Sequence, residues 1–134
     1  QFKWAKKNPN YGPAKFVLSM GRGKIKDHGE IKDQMYLGVP KGRVIILEDV
    51  TTTGESLVQC IEGLQNNKVN VVAAISLTNR NEIRDDGKTV EEVVNEKRVK
   101  YYSMSLFTDL IPKLNLPKNI LSLVENYFKK YGAK

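Results

Sequence analysis

The sequence has very few of the residues from which disulfide frameworks and metal centres are built. Its 134 residues include one cysteine, Cys60, and one histidine, His28. A single cysteine excludes an internal disulfide framework and a cysteine metal cluster. Long apolar runs are also missing: no stretch approaches the length of a membrane span or has the pattern of a signal peptide. These absences favour one cytoplasmic domain, and the contents of 40% apolar and 28% charged residues are typical of globular proteins.

Acidic residues are missing from the first 26 positions, although the whole chain contains fifteen of them. The net charge of +7 therefore originates in this segment, which carries seven of the 22 basic residues and leaves fifteen for the rest of the chain. Three explanations are open: a nucleic-acid contact, a funnel for a small polyanionic substrate, or a solvated basic face. Sparse aromatic residues make nucleic acid the weakest of the three. The seven basic residues are Lys3, Lys6, Lys7, Lys15, Arg22, Lys24 and Lys26.

The chain is organised around residues 44–57, where an apolar run leads into two carboxylates, a hydroxyl-rich turn and an amphipathic run. A continuous apolar run that ends at a turn signal is typical of a strand buried on both faces. A glycine in the turn allows unusual backbone angles, and hydroxyls and amides at a helix start attract an anion. Glu48 and Asp49 end the strand, at the edge where open α/β sheets bind ligands. A sugar that carries a phosphate fits both features. The alternative is an ordinary strand–turn–helix corner with Thr53 or Ser56 as N-cap.

Strand and helix patterns alternate along the rest of the chain. Apolar spacing predicts a helix from about residue 54 to 66, with Cys60 as a buried structural thiol, and residues 69–77 predict a second buried strand. With the motif strand these make a parallel, right-handed β-α-β unit. We therefore predict an α/β fold, a parallel central sheet flanked by helices, in one domain over residues 1–134. The remaining predictions are strands over 14–20, 35–38 and 99–103 (the last at a sheet edge), a turn at 40–42 and another at 85–87, a capping box at 89–92 opening a helix to about 97, a short helix over 105–113, and a last helix capped by Asn119.

Residues 44–57 resemble the phosphoribosyl-diphosphate (PRPP) motif of the type I phosphoribosyltransferases. The match comprises the apolar strand, the adjacent acids Glu48 and Asp49, three threonines, Gly54 and a serine two residues later. The resemblance implies the fold of that family, with the two acids on the ribose hydroxyls and the turn around the 5-phosphate. The turn residues that it assigns to the substrate are Thr51, Thr52, Thr53, Gly54, Glu55 and Ser56.

A second patch, residues 21–30, combines glycines, alternating cations and the only histidine, and it predicts a mobile loop that closes over a substrate. The alternative is a disordered basic loop with an incidental histidine. The Lys-Asp-His-Gly sequence at 26–29 resembles the catalytic loop of orotate phosphoribosyltransferases, whose lysine and histidine contact the diphosphate. The resemblance makes Lys26 and His28, together with Asp49, the catalytic candidates. Its substrate-binding candidates in this loop are Arg22 and Lys24, with Gly23 standing where the family has a lysine.

Arg80 follows the second predicted strand, at the same sheet edge as the two acids of the motif. A guanidinium fork suits a planar carboxylate. In orotate phosphoribosyltransferases an arginine at this point binds the orotate carboxylate, so the resemblance assigns Arg80 to orotate. The alternative is a surface arginine without a ligand.

The resemblance covers about residues 13–104. It implies the reaction of orotate with PRPP to give orotidine 5′-monophosphate and diphosphate, a step of pyrimidine synthesis. It also implies Mg²⁺ carried with PRPP, no metal site formed by the protein alone, and a homodimer whose 21–30 loop reaches the neighbouring active site. Family members have a further N-terminal portion that residues 1–13 do not supply, so we expect the chain to be the central and C-terminal part of the full catalytic domain.

Two alternatives stay open within this resemblance. One is a phosphoribosyltransferase for a purine or another base, which the PRPP motif alone supports equally. The other is a PRPP-binding regulator without enzymatic activity, built on the same fold. The expected partners are PRPP and orotate, with no membrane and no nucleic acid, and the expected location is the cytoplasm.

Overall fold

The computed structural model describes residues 18–21, 36–38 and 40–133. The chain divides into two units, Gln1–Gly42 and Arg43–Lys134. In the first unit, the described residues form a short antiparallel pair, β1 (Met20–Gly21) with β2 (Tyr36–Leu37). The predicted strand over 35–38 is confirmed at Tyr36 and Leu37, whereas Gly38 lies outside the strand. The strand over 14–20 lies mostly outside the described residues, and only its last residue is in β1.

Three parallel strands form the sheet of the second unit within residues 43–133. They are β3 (Arg43–Thr51), β4 (Asn70–Asn79) and β5 (Lys100–Leu106), and they lie side by side in chain order. Helix α1 (Glu55–Asn66) connects β3 to β4, so the predicted parallel β-α-β unit is confirmed. The register pairs Thr51 with Asn79, which brings the ends of β3 and β4 to the same sheet edge.

The core of this unit is made by two helices and the buried residues of the sheet. Helix α2 (Val90–Glu96) follows β4, and its N-cap Thr89 forms the predicted capping box with Glu92. The Glu92 N–H donates to the Thr89 hydroxyl at 3.2 Å, and the Thr89 N–H donates to the Glu92 carboxylate at 2.7 Å. The buried apolar residues of the two helices are Leu57, Ile61 and Leu64 in α1 and Val90, Val93 and Val94 in α2.

The prediction that the motif strand is buried on both faces is wrong. Residues 43–49 of β3 alternate between exposed and half-buried, and Leu47 is 69% exposed. The register aligns Leu47 with Ile75 and Ile75 with Tyr102, so these side chains share one face of the sheet. Large apolar residues remain open on that face in all three strands. An apolar run shows that a strand can be buried, but it does not show which elements cover it.

The end of the chain was predicted less well than its middle. Strand β5 runs to Leu106, so the predicted helix over 105–113 becomes α3 (Phe107–Leu110) followed by a 3-10 helix (Ile111–Lys113). Helix α4 spans Lys118–Tyr131 with Pro117 at its N-cap, so the predicted cap at Asn119 is wrong. Proline already has the backbone angle that a helix start requires, and it begins the helix two residues earlier. None of the helices within the described residues is both long and apolar enough to cross a membrane.

Candidate active site

The segment from Thr51 to Leu57, here called the Thr-Gly turn, joins β3 to α1. Gly54 has φ +70° and ψ 14°, in the left-handed region that favours glycine. It is the N-cap of α1, and among the described residues no side chain caps this helix. The N-cap at Thr53 or Ser56, which the alternative interpretation assigned, is therefore wrong. Because the first N–H groups of a helix have no intrahelical partner, this helix start can receive an anion.

The Thr-Gly turn borders a depression of about 260 Å³ at the carboxyl end of β3. A ligand there would meet carboxylate, hydroxyl and backbone groups from one continuous stretch of chain. This is the position predicted from the motif, since ligands of parallel sheets bind at the carboxyl ends of the strands. The residues that line the depression are Glu48, Val50, Thr51, Thr52, Thr53, Gly54, Glu55, Ser56 and Leu57.

The two adjacent acids occupy different environments. Glu48 lines the depression, and partial burial together with the neighbouring Asp49 charge raises the pKa of its carboxyl. Asp49 is exposed, and its Oδ1 accepts the N–H of Val50 at 2.7 Å. Successive side chains of a strand point to opposite faces. Of the pair, the structure places Glu48 in the depression, while the assignment of Asp49 as catalytic stays a prediction.

The hydroxyl of Thr51 points into the core. Thr51 is 2% exposed, and its Oγ1 lies 2.6 Å from the hydroxyl of Tyr101 on β5. That hydroxyl is in turn 2.8 Å from Oγ of Ser76 on β4. The three side chains connect the start of the turn to the other two strands of the sheet, β4 and β5. They leave the half-buried Thr52 and Thr53 as the threonines whose hydroxyls are better placed for a ligand.

Arg80 lies at the same sheet edge as the Thr-Gly turn, as predicted. Its N–H donates to the carbonyl oxygen of Thr51 at 2.8 Å. Its side chain is part of a group that we call the Arg80 cluster: Arg80, Glu82 and Tyr127. Arg80 Nη2 lies 2.6 Å from Oε1 of Glu82, which is only 7% exposed. The Tyr127 hydroxyl, on α4, donates to Glu82 Oε2 at 3.0 Å, and the guanidinium of Arg80 lies 5.8 Å from the Tyr127 ring centroid.

Backbone contacts attach the end of the chain to the segment that follows Arg80. The N–H of Ile83 donates to the carbonyl oxygen of Tyr131 at 2.7 Å, and the N–H of Ala133 donates to that of Asn81 at 2.8 Å. The contribution of α4 to this region was missed by the sequence reasoning, which predicted the helix but not its contacts with the segment after Arg80. Tyr127 and Glu82 are 45 residues apart, and no local pattern reports such a contact.

Arg84 is a second residue that sequence reasoning missed. Its guanidinium contacts the carbonyl oxygen of Thr53 and the carboxylates of Glu55 and Asp86. The only signal in the sequence was its position, four residues after Arg80 in the segment that leaves the ligand-binding edge of the sheet. That signal identifies a candidate without giving it a role.

The candidates in the basic loop cannot be located in the same way. Arg22, Lys24, Lys26 and His28 lie outside the described residues, and their roles stay predictions. Within the described part of the chain no group of three or more His, Cys, Asp or Glu side chains is arranged to hold a metal ion. Of the described residues, Glu48 and Glu55 are the two acids that line the depression, and Mg²⁺ needs several oxygen ligands. An ion there would take most of its oxygens from the ligand and from water.

Comparison with curated proteins finds orotate phosphoribosyltransferases. That of Aeropyrum pernix is 32% identical over 97 residues, which are 72% of this chain and 48% of that protein. That of Buchnera aphidicola (strain Tuc7) is 32% identical over 120 residues, 85% of this chain and 55% of that protein. The chain thus spans about half the length of the curated relatives it matches. No protein-family model matches the chain.

Solved structures give the same result for the fold. The orotate phosphoribosyltransferase of Aeropyrum pernix superposes with a TM-score of 0.53 at 29% identity, over 72% of this chain and 51% of that one. The enzyme of Francisella tularensis reaches a TM-score of 0.56 at 18% identity, over 76% and 54%. At that lower identity the likeness concerns the fold alone, and it agrees with the predicted α/β class.

Proposed function

Because the chain is a homologue of the orotate phosphoribosyltransferases and has their type I phosphoribosyltransferase fold, we propose that its protein transfers a 5-phosphoribosyl group from PRPP to orotate. The products are orotidine 5′-monophosphate and diphosphate. The observation that carries the proposal is the Thr-Gly turn, whose uncapped helix start and hydroxyls border a depression that also contains Glu48.

The turn would hold the donor substrate by its 5-phosphate. The N–H groups at the start of α1 and the hydroxyls of Thr52, Thr53 and Ser56 are hydrogen-bond donors that suit phosphate oxygens. Glu48, and with it Asp49, would accept hydrogen bonds from the ribose hydroxyls. Holding the sugar at both ends fixes its reacting carbon relative to the acceptor, which lowers the entropic part of the barrier.

In the reaction, a ring nitrogen of orotate forms a bond to the ribose carbon as the bond from that carbon to diphosphate breaks. The hydrogen of that nitrogen leaves as a proton to water. The electron pair of the broken bond leaves with diphosphate, and cationic character develops on the sugar. We assign Lys26 and His28 to the stabilisation of the departing charge, as the loop resemblance implies. Mg²⁺ carried with PRPP would neutralise further diphosphate charge.

The acceptor would bind at Arg80, which lies beside the turn. A carboxylate of orotate can accept hydrogen bonds from the guanidinium fork. In the structure that fork already contacts Glu82, so orotate would share or replace this internal carboxylate. We further propose a cytoplasmic homodimer in which the 21–30 loop, including Arg22 and Lys24, completes the neighbouring active site.

The test is to mix the protein with PRPP, Mg²⁺ and orotate and to follow the ultraviolet absorbance of orotate. Consumption of orotate supports the proposal. Turnover that occurs only with a purine or another base would replace orotate as the acceptor, and PRPP binding without any turnover would favour a regulator. His28→Ala and Lys26→Ala should lower turnover much more than PRPP affinity, and full activity in both variants would contradict the loop assignment.

A further inference from the structure

Arg84 is unusually enclosed for an arginine in a polar connecting segment. It lies between β4 and α2, where a solvated side chain is the ordinary expectation. Its side chain is only 16% exposed, whereas its neighbour Asp86 is 45% exposed. Because guanidinium cannot lose its charge, an enclosed arginine requires acceptors for its hydrogen bonds. The positions of those acceptors indicate what Arg84 does.

The acceptors lie on two separate segments. Nη1 donates to the carbonyl oxygen of Thr53, and Nη2 lies 3.4 Å from Oε2 of Glu55. Nε lies 3.3 Å from Oδ2 of Asp86, on the side chain's own segment. A planar fork with five donors can make such contacts in several directions at once, which the single ammonium of lysine cannot reproduce. Arg84 therefore connects the segment after β4 to the Thr-Gly turn.

The contact with Thr53 orients a peptide group inside the turn. The carbonyl oxygen of Thr53 and the N–H of Gly54 belong to the same planar trans peptide and point in opposite directions. A guanidinium that holds this oxygen on one side therefore directs the N–H of Gly54 to the other side. In the Thr-Gly turn, N–H groups are the feature suited to an anion. The direction of the Gly54 N–H is thus set by a side chain that lies 31 residues after Thr53 in the chain.

Arg84 also changes the charge at the helix start. Glu55 is the first residue of α1, and its carboxylate repels an incoming anion. The guanidinium beside it offsets that negative charge, although Glu55 is largely exposed and the pair is weak. The hydrogen bond to the Thr53 carbonyl, which is part-buried, is the stronger of the two contacts.

The segment that carries Arg84, residues 84–88, is a turn held by its own hydrogen bonds. The N–H of Arg84 donates to the carbonyl oxygen of Lys88 at 3.0 Å, and the N–H of Gly87 donates to the carbonyl oxygen of Arg84 at 2.9 Å. Oδ1 of Asp86 accepts the N–H of Lys88 at 3.0 Å. This hydrogen bond, followed by those from Arg84, lowers the pKa of the Asp86 carboxyl, which stays ionised to pair with Arg84.

We propose that Arg84 is a positioning residue, which holds the Thr-Gly turn in its anion-binding conformation before the ligand arrives. The inference rests on the proposed function, since it takes the 5-phosphate of the sugar as that anion. Arg84 acts through the Thr53–Gly54 peptide and does not itself touch the substrate. Its loss should therefore affect the binding of the sugar phosphate and leave the binding of the acceptor base almost unchanged.

The test compares Arg84→Met and Arg84→Lys with Arg43→Met. Arg43 is an exposed arginine at the opposite end of β3, so its replacement removes the same charge far from the turn. Calorimetric titration with ribose 5-phosphate and with PRPP should show a loss of affinity of about 10- to 100-fold for Arg84→Met. Arg84→Lys should recover part of the loss, because it restores one donor without the fork, and Arg43→Met should stay within about 2-fold of wild type.

Two further readouts separate positioning from a general loss of structure. Hydrogen exchange of the peptide that contains residues 51–57 should become faster in Arg84→Met without ligand, while exchange of β4 is unchanged. The KM for orotate should stay within about 2-fold of wild type in Arg84→Lys. This variant keeps the positive charge, and it allows the measurement even if Arg84→Met does not fold.

The outcomes distinguish this inference from the function on which it rests. A wild-type protein that binds neither PRPP nor ribose 5-phosphate overturns both. A wild-type protein that binds them, with both Arg84 variants equal to it in affinity and in exchange of the turn, overturns the role of Arg84 alone. Equal losses for Arg84→Met and Arg43→Met would show a nonspecific charge effect and would also overturn it.

Discussion

The Thr-Gly turn and the Arg80 cluster lie at one edge of the sheet but are prepared for ligands in different ways. Among the described residues, no side chain caps α1 at the turn. Arg84 supports the conformation of the turn through its hydrogen bond to the Thr53 carbonyl oxygen. In the cluster, the guanidinium of Arg80 already contacts the buried carboxylate of Glu82. In the proposed function, the turn accepts the 5-phosphate without rearrangement, whereas Arg80 must share or exchange a partner to bind orotate. The proposed phosphate site is therefore better preorganised than the proposed orotate site.

The largest expected effect comes from a substitution that disturbs the Thr-Gly turn. In Gly54→Ala the new Cβ would lie 2.9 Å from Cγ1 of the buried Val90, in addition to the strain of φ +70°. We expect a loss of about 2–3 kcal/mol in the free energy of unfolding. We also expect PRPP affinity to fall by about 100-fold, because a displaced turn loses several hydrogen bonds to phosphate at once.

Gly42→Ala is the matched control for this substitution. Gly42 has φ +69°, and a Cβ built on it meets no atom within 4 Å. Gly42→Ala should lower the free energy of unfolding only by the backbone strain, about 1 kcal/mol, and should leave PRPP affinity unchanged. Urea unfolding and calorimetry measure both quantities. Equal stability losses in the two variants would show that the contact with Val90 does not constrain the turn.

The next effect concerns Arg80, the residue proposed to bind orotate. Arg80→Lys keeps a positive charge beside Glu82 but loses the planar fork, so we expect the KM for orotate to rise by about 10-fold. The KM for PRPP should change less than about 2-fold, since the turn keeps its own supports. Steady-state kinetics with each substrate varied in turn provide the measurement, and Lys100→Met on the exposed start of β5 is the control. A rise in the KM for PRPP alone would contradict the division into two regions.

A smaller effect concerns the start of the turn, where Thr51 contacts Tyr101. Tyr101→Phe removes the hydroxyl shared by Thr51 and Ser76, both buried, and should lower the free energy of unfolding by about 1–2 kcal/mol. Tyr102→Phe makes the same chemical change at a 52% exposed site and should cost less than about 0.5 kcal/mol. Urea unfolding of the two variants decides the matter. If they lose equal stability, the buried hydroxyl group does not fasten the turn.

The smallest effect concerns pH. The pKa of Glu48 is raised in the folded protein, chiefly by burial, so the folded state binds its proton more tightly than the unfolded state. The stability that this provides is complete below the unfolded pKa and is lost as pH rises through the folded pKa. Glu48→Gln has no such loss, so its melting temperature should exceed that of wild type by about 1 °C at neutral pH. The difference should vanish near pH 4.

Glu125→Gln provides the charge-matched control, because Glu125 is an exposed residue within α4. It should leave the pH dependence of the melting temperature as it is in wild type. A lower melting temperature for Glu48→Gln at neutral pH would contradict the raised pKa. The prediction also adds to the comparison, since it means that Glu48, the carboxylate proposed to bind the ribose, lowers the stability of the empty protein at neutral pH.

Local signals in the sequence were sufficient for the strand–turn–helix unit and for much of the fold. Glycine after a run of threonines identifies the turn, and the Thr89–Glu92 spacing identifies the start of α2, because both depend on neighbouring residues alone. The cap at Asn119 failed where two local signals competed and Pro117 prevailed.

Features that depend on distant contacts could not be predicted in this way. The exposure of Leu47 depends on which elements cover β3, and the contacts of Arg84 and Tyr127 join residues 31 and 45 positions apart. An arginine in a polar segment looks the same in sequence whether it is solvated or enclosed. The catalytic roles of Lys26, His28 and Asp49 stay predictions.

The contacts that hold the Thr-Gly turn also have a consequence for protein synthesis. The turn leaves the ribosome before Arg84 and Val90, two of the residues that contact it. Arg84 follows Thr53 by 31 residues, and Val90 follows Gly54 by 36. At about 5–20 residues per second, the delay is roughly 2–7 s. During that interval the nascent chain contains the complete PRPP-like motif but not the side chains that shape it. A ribosome-bound chain that ends before Arg84 should therefore not recognise the sugar phosphate, however complete its motif is.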